Sequence, residues 1–178
     1  MITTTKYNQT TISKKVSLDG VGLHTGKDVT LTFYPSESNT GYVFKRVDLE
    51  GEPIVEADIN YVTNTERGTC LNKNNVIIQT CEHVLASLVG LQIDNALIEL
   101  NASEPPIMDG SSKYFVEALE KAGIKQLNDK RKEFIVKNVI SFKDEDSGSE
   151  ITVIPSKEYQ ITTMVDFGTK ILGTQNAS

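Results

Sequence analysis

The chain has two histidines, His24 and His83, and each stands beside residue types able to do proton or metal chemistry. His83 follows Glu82 in the run Thr80-Cys81-Glu82-His83-Val84-Leu85. An imidazole beside a carboxylate can serve as a metal ligand next to a general base, the pairing that metal-assisted hydrolysis uses. The plainer reading is two polar residues on the wet face of a helix. A hydrolytic zinc site needs three protein ligands and an open position for water, and nothing else here supplies two more ligands at helical spacing. His24 opens a second pattern, His24-Thr25-Gly26-Lys27-Asp28. On a helix, a His and an Asp four residues apart share a face. Here Gly20, Gly22 and Gly26 flank the pair and an alternating strand follows, so a turn is expected and no metal role. The same segment lacks the G-x-G-x-x-G spacing and the following helix of a nucleotide loop. A glycine-permitted turn between strands is the expectation there. Asp109, in Asp109-Gly110-Ser111, could be a catalytic carboxylate, but capping of the next helix explains it more simply. Cys81 is expected to pack in the core.

These residues need elements to position them. From Gln79 to Gly90 the apolar residues Cys81, Val84, Leu85, Leu88 and Val89 recur at i, i+3, i+4, i+7 and i+8, which predicts an amphipathic helix. On it His83 points almost opposite to the apolar stripe, and Glu82 sits on the flank. A second helix is expected from Ser111 to Ala122, with Phe115, Ala118, Leu119 and Ala122 buried and Asp109 or Ser111 capping its start. Gly123 falls at the left-handed position after it, from which Ile124 can fold back on Leu119.

Most of the chain before residue 78 reads as short strands. Val29, Leu31 and Phe33 alternate with Thr30 and Thr32, and Tyr42–Lys45, Ile54–Ala57 and Val76–Ile78 are further candidates. Ala96–Leu100 is a strand between the helices. The polar run Gln126–Lys132 reads as a domain boundary. Beyond it lie strand candidates at Phe134–Ser141, Ile151–Ile154 and Ile161–Val165, with a turn over Asp144–Ser149. The expectation is an α+β fold with a first domain over 1–128 and the beginning of a second over 129–178. A sheet with no covering layer leaves its apolar face open, so the second domain is expected to be incomplete.

A net charge of −6 argues against a protein whose work is gripping nucleic-acid phosphates, which needs clustered Lys and Arg. It leaves room for a small anionic substrate held by one or two local cations. No apolar run nears the ~18–20 residues of a membrane span, and the first residues carry no secretion signal, so a cytoplasmic location is expected. Cys70 and Cys81 are too few for a disulfide scaffold and are expected as free thiols.

Four blocks occur in order: Gly20-Val21-Gly22-Leu23-His24-Thr25-Gly26, Thr80-Cys81-Glu82-His83-Val84-Leu85, Gly90-Leu91-Gln92-Ile93-Asp94-Asn95, and Ser103-Glu104-Pro105-Pro106-Ile107-Met108-Asp109-Gly110-Ser111. Together they closely resemble the UDP-3-O-acyl-N-acetylglucosamine deacetylase family of lipid A synthesis, and the stretch Val165–Asn176 resembles the start of that family's second domain. The whole looks most like versions from Bacteroidetes, which are often fused to a hydroxyacyl carrier-protein dehydratase. The resemblance implies two similar α+β domains, each a sheet with two helices, and an active site at the helix faces between them. It implies hydrolysis of the acetamide of a UDP-sugar lipid precursor, with one Zn2+ as cofactor, His83 as a zinc ligand and Glu82 as general base. Zinc in such a site polarises the amide carbonyl and lowers the pKa of its bound water toward ~7.

The family's other two ligands belong to a His-Lys-x-x-Asp helix that has no match here. A later catalytic histidine and the loops that hold the acyl chain have no match either. This chain by itself is therefore expected to bind zinc weakly, to lack deacetylase activity, and to pair with a missing C-terminal domain. Self-association through the exposed helix face that carries His83 is a further expectation. The rival reading is a non-catalytic binding or interaction module.

Overall fold

A computed structural model describes residues 2–178 and divides the chain into two compact units, Thr4–Arg131 and Lys132–Ser178 together with Ile2 and Thr3. In chain order the elements are β1 (Ile2–Ile12), β2 (Val16–Val21), β3 (Asp28–Pro35), β4 (Tyr42–Arg46), β5 (Ile54–Glu56), β6 (Val62–Asn64), β7 (Cys70–Lys73) and β8 (Val76–Ile78), then α1 (Glu82–Gly90), β9 (Ala96–Leu100) and α2 (Lys113–Ala122). There follow β10 (Ile124–Phe134), β11 (Ile140–Lys143), β12 (Glu150–Val153), β13 (Thr163–Asp166) and β14 (Thr174–Ala177). The class is α+β, as expected.

In the larger unit a five-stranded sheet runs in the order β2-β3-β9-β4-β5. Its pairs are antiparallel except β4 with β9, which run parallel. The alternation in β3 holds: Val29, Leu31 and Phe33 are buried, while the threonines between them are half-buried on the other face. Phe33 meets Phe115 of α2 edge-on, with ring centroids 6.5 Å apart and planes at 83°. Leu88 of α1 and Leu119 of α2 belong to the same core, so both helices bury a stripe against one cluster. A second, three-stranded sheet, β6-β7-β8, leads the chain into α1.

Two expectations need correction, and one element was not foreseen. The polar run Gln126–Lys132, within which the two units divide after Arg131, is part of strand β10, which pairs with β1. Its partners are polar too. Asn8 Nδ2 donates to the Leu127 carbonyl at 2.8 Å, and Lys130 Nζ donates to the Lys6 carbonyl at 2.9 Å. A two-stranded ribbon whose strands are polar over most of their length needs no apolar alternation, so they do not show the period that sequence reading relies on. Val89 is exposed, whereas Ser87 takes a buried place in the α1 stripe and satisfies its hydroxyl on the Val84 carbonyl at 2.7 Å. Ile124 is also exposed, and begins β10 rather than folding back on Leu119. Gly123 does take a positive φ of 74°.

In the smaller unit β11 pairs with β12, and β13 with β14. The turn over Asp144–Ser149 lies between the first pair, closed by Gly148 N–H to the Asp144 carbonyl at 2.8 Å. Strand β14 arises in a stretch with no apolar period, so the sequence reading had no signal for it.

Arg46 is the buried cation of the larger unit. Its Nε and Nη2 donate to the two oxygens of Asp48 at 2.8 and 2.7 Å, and Nη1 donates to the Ile77 carbonyl at 2.9 Å. This fork ties β4 to the strand that precedes α1. The Arg46 hydrogen bonds hold the Asp48 carboxyl below the usual aspartate range. Because the folded value is lowered, the stabilisation is full above the ordinary aspartate pKa and is lost as pH falls through the lowered one. Arg46→Ala should cost about 2 kcal/mol, the worth of hydrogen bonds to a charged partner. Urea unfolding at neutral pH reads that loss, and the variant's deficit should shrink on acidification.

Candidate active site

The start of α1 is set by an unusual turn. Strand β8 ends at Ile78, Gln79 N–H bonds the Ser103 carbonyl at 2.8 Å, and Thr80 takes a positive φ of 50°. A β-branched residue there is strained. Cys81 follows at the capping position, buried, its thiol donating to the Thr69 carbonyl. Burial, then the nearby Glu82 charge, pushes that thiol up to about 12, so it is a packing residue and not a nucleophile, as expected.

Glu82 and His83 form the first turn of α1, half-buried, with Glu82 Oε1 3.9 Å from His83 Nε2. A helix N-terminus is a favourable place for a carboxylate. The Thr69 N–H donates to Glu82 Oε2 at 2.9 Å, and a Cβ on Gly68 would lie 3.1 Å from Oε1. The 68–69 backbone therefore fixes this carboxylate from outside the helix. Sequence reading missed these contacts, since a backbone N–H carries no residue signature. Across from it, Ser112 at the start of α2 donates its hydroxyl to the His83 carbonyl at 2.9 Å, tying the two helix starts together. Ser112 occupies the capping position of α2 but spends its side chain on that bond. Asp109 does not cap the helix. It accepts from the Ser111 N–H and hydroxyl at 3.0 and 2.8 Å, closing a turn before α2, and the Ser111 oxygen takes the Lys113 N–H.

His24 sits on a tight turn in which the Gly26 N–H donates to the Gly22 carbonyl at 3.0 Å, and Asp28 starts β3. The two are on a turn and a strand, as the glycine spacing predicts. The turn is held by a residue the sequence reading passed over: the Glu104 carboxylate, which has no exposed surface. Its signal was slight, one acidic residue ahead of two prolines in an irregular loop. A cleft of about 230 Å³ is lined by His24, Arg67, Gly68 and Thr80 among others, and Gly68 brings it to the edge of Glu82. A larger concavity of about 400 Å³ is lined by the paired strands β2 and β3 and by Asn101, and neither Glu82 nor His83 lines it.

The donors can be tested against a hydrolytic zinc. One imidazole and one carboxylate stand side by side, and among the described residues no group of three His, Cys, Asp or Glu converges. The described residues thus supply at most one ligand beside a base and do not by themselves fit the three-ligand site such a metal needs.

Residues 9–178 match the family model described as UDP-3-O-acyl N-acetylglycosamine deacetylase. The chain belongs to that family. Among relatives of this deacetylase family, it is 42% identical over 170 residues to the bifunctional enzyme LpxC/FabZ of Bacteroides thetaiotaomicron, covering 96% of this chain and 37% of that protein. It is 42% identical over 159 residues to the UDP-3-O-acyl-N-acetylglucosamine deacetylase of a Geobacter species, covering 89% of this chain and 52% of that one. The Myxococcus xanthus deacetylase is 36% identical over 170 residues, 96% of this chain and 54% of its own. The chain thus spans about a third to a half of the length of the curated relatives it matches. Among the described residues no helix is long and apolar enough to cross a membrane.

Proposed function

We propose that this chain carries the general base and one metal-ligating imidazole of a zinc-dependent amidase that removes the acetyl group from a UDP-3-O-acyl-N-acetylglucosamine precursor of lipid A. The observation that carries the reading is the Glu82–His83 pair at the half-buried start of α1, its carboxylate fixed by the Thr69 N–H. Membership of the deacetylase family supports the substrate class. In this reading Glu82 takes a proton from the attacking water and returns it to the departing amine. His83 contributes one ligand, and the remaining donors come from outside the described residues. The location proposed is the cytoplasm, where the nucleotide-sugar substrate would be made.

The rival reading, a binding module without catalysis, would leave Glu82 and His83 as two polar residues on a solvated helix face. His83→Ala in the full-length enzyme separates the two. The variant should lose most of its bound zinc, read by atomic emission after dialysis against a weak chelator, while its thermal unfolding stays close to that of metal-free wild type. Full zinc content in that variant would remove His83 from the ligand set.

A further inference from the structure

Glu104 joins two segments far apart in sequence. Its carboxylate accepts the His24 N–H at 3.2 and 3.0 Å on its two oxygens, the Thr25 N–H at 3.0 Å and the Thr80 hydroxyl at 2.9 Å. Burial alone would raise its pKa, but the Thr25 and His24 N–H groups, with the Thr80 and Thr25 hydroxyls, more than offset that and leave it lowered. A buried carboxylate held by backbone donors is a rigid anchor, because every donor lost leaves a charge without solvent.

Two further features are built around it. A Cβ on Gly22 would lie 2.3 Å from Thr25 Oγ1 and 2.7 Å from Glu104 Oε2, so only glycine lets the turn close over the carboxylate. Thr80, with φ of 50°, is held in a conformation that a β-branched residue avoids, and its hydroxyl is one of the four donor groups. Thr80 lies two residues before Glu82, and His24 and Thr80 line the same cleft beside it.

We propose that Glu104 is a positioning residue: one buried carboxylate fixes the His24 turn and the left-handed Thr80 together, and so sets the wall of the cleft against the start of α1 where Glu82 sits. The proposal rests on the reading of Glu82 as the base. Glu104 itself does not face the cleft, and its effect reaches the reaction through the two segments it clamps.

The test is Glu104→Gln in the full-length, zinc-loaded enzyme. A carboxamide turns an N–H group toward donors that need an acceptor. The expected result is a fall in kcat of about ten- to a hundredfold, the scale of a misplaced catalytic group, with KM changed much less and zinc content unaltered. Amide hydrogen exchange should quicken at His24, Thr25, Glu82 and His83. Thr80→Val removes a single donor while keeping the side-chain shape, so it stays informative if Glu104→Gln does not fold. Its expected loss in kcat is roughly threefold to tenfold, the rate equivalent of one ordinary hydrogen bond. Faster exchange with wild-type kcat per folded, zinc-loaded enzyme would overturn the positioning role and leave a purely structural one. Unchanged exchange with unchanged kcat would overturn the clamp itself. If wild-type enzyme releases no acetate, the functional reading fails separately, and quickened exchange at Glu82 and His83 would still uphold the clamp.

Discussion

Glu82→Gln in the full-length enzyme should lower acetate release by about 10²–10⁴-fold, the usual contribution of a positioned general base, and leave zinc content at wild type. The amide is nearly isosteric with the carboxylate and keeps an oxygen to accept the Thr69 N–H, so the first turn of α1 stays where it is. What it loses is the capacity to take a proton. His83 lies one residue further on, with its carbonyl still tied to Ser112, and should go on ligating metal. Steady-state acetate release and metal analysis on one preparation separate base from ligand. A residual rate within threefold of wild type would remove Glu82 from the proton transfer.

Phe33→Ala should cost about 3–5 kcal/mol, the range for deleting a large buried aromatic. Phe33 has no exposed surface, lies on β3 between β2 and β9 in the five-stranded sheet, and meets Phe115 edge-on. A domain of this size is stable by only about 5–15 kcal/mol, so the variant would sit near its unfolding threshold at room temperature. The cavity would also loosen α2 against the sheet, and α2 is the helix whose first residues hold the His83 carbonyl. Denaturant unfolding measures the first effect. A loss below about 1 kcal/mol would mean that the site closes by repacking.

How much of this was legible in the sequence depends on where each residue's neighbours come from. The two helices and strands β3, β4, β5, β8 and β9 bury one face or both, so their apolar periods were readable and their existence followed. Glu82 and His83 were readable as a pair pointing off the apolar stripe, and they stand half-buried at the start of α1. The β1–β10 ribbon was not readable, because polar residues such as Asn8 and Lys130 satisfy one another across it and no apolar period is required. Glu104 was out of reach for another reason. Its role is defined by His24, Thr25 and Thr80, which lie far away in sequence, and a buried acid looks like a surface acid until its donors are placed. Val89 and Ser87 show the remaining limit: helical spacing marks a stripe, but its edge is decided by what packs opposite.

In the proposed reading this chain holds the base and one ligand of a metal site whose other donors lie elsewhere in the protein. The most direct measurement compares zinc content and acetate release from UDP-3-O-acyl-N-acetylglucosamine for this 178-residue chain and for the full-length protein, each with and without Glu82→Ala. The full-length protein should hold about one zinc tightly and release acetate in a Glu82-dependent way. This chain alone should do neither. Micromolar zinc binding with acetate release from this chain alone, or a full-length protein that holds no zinc and releases no acetate, would contradict that reading.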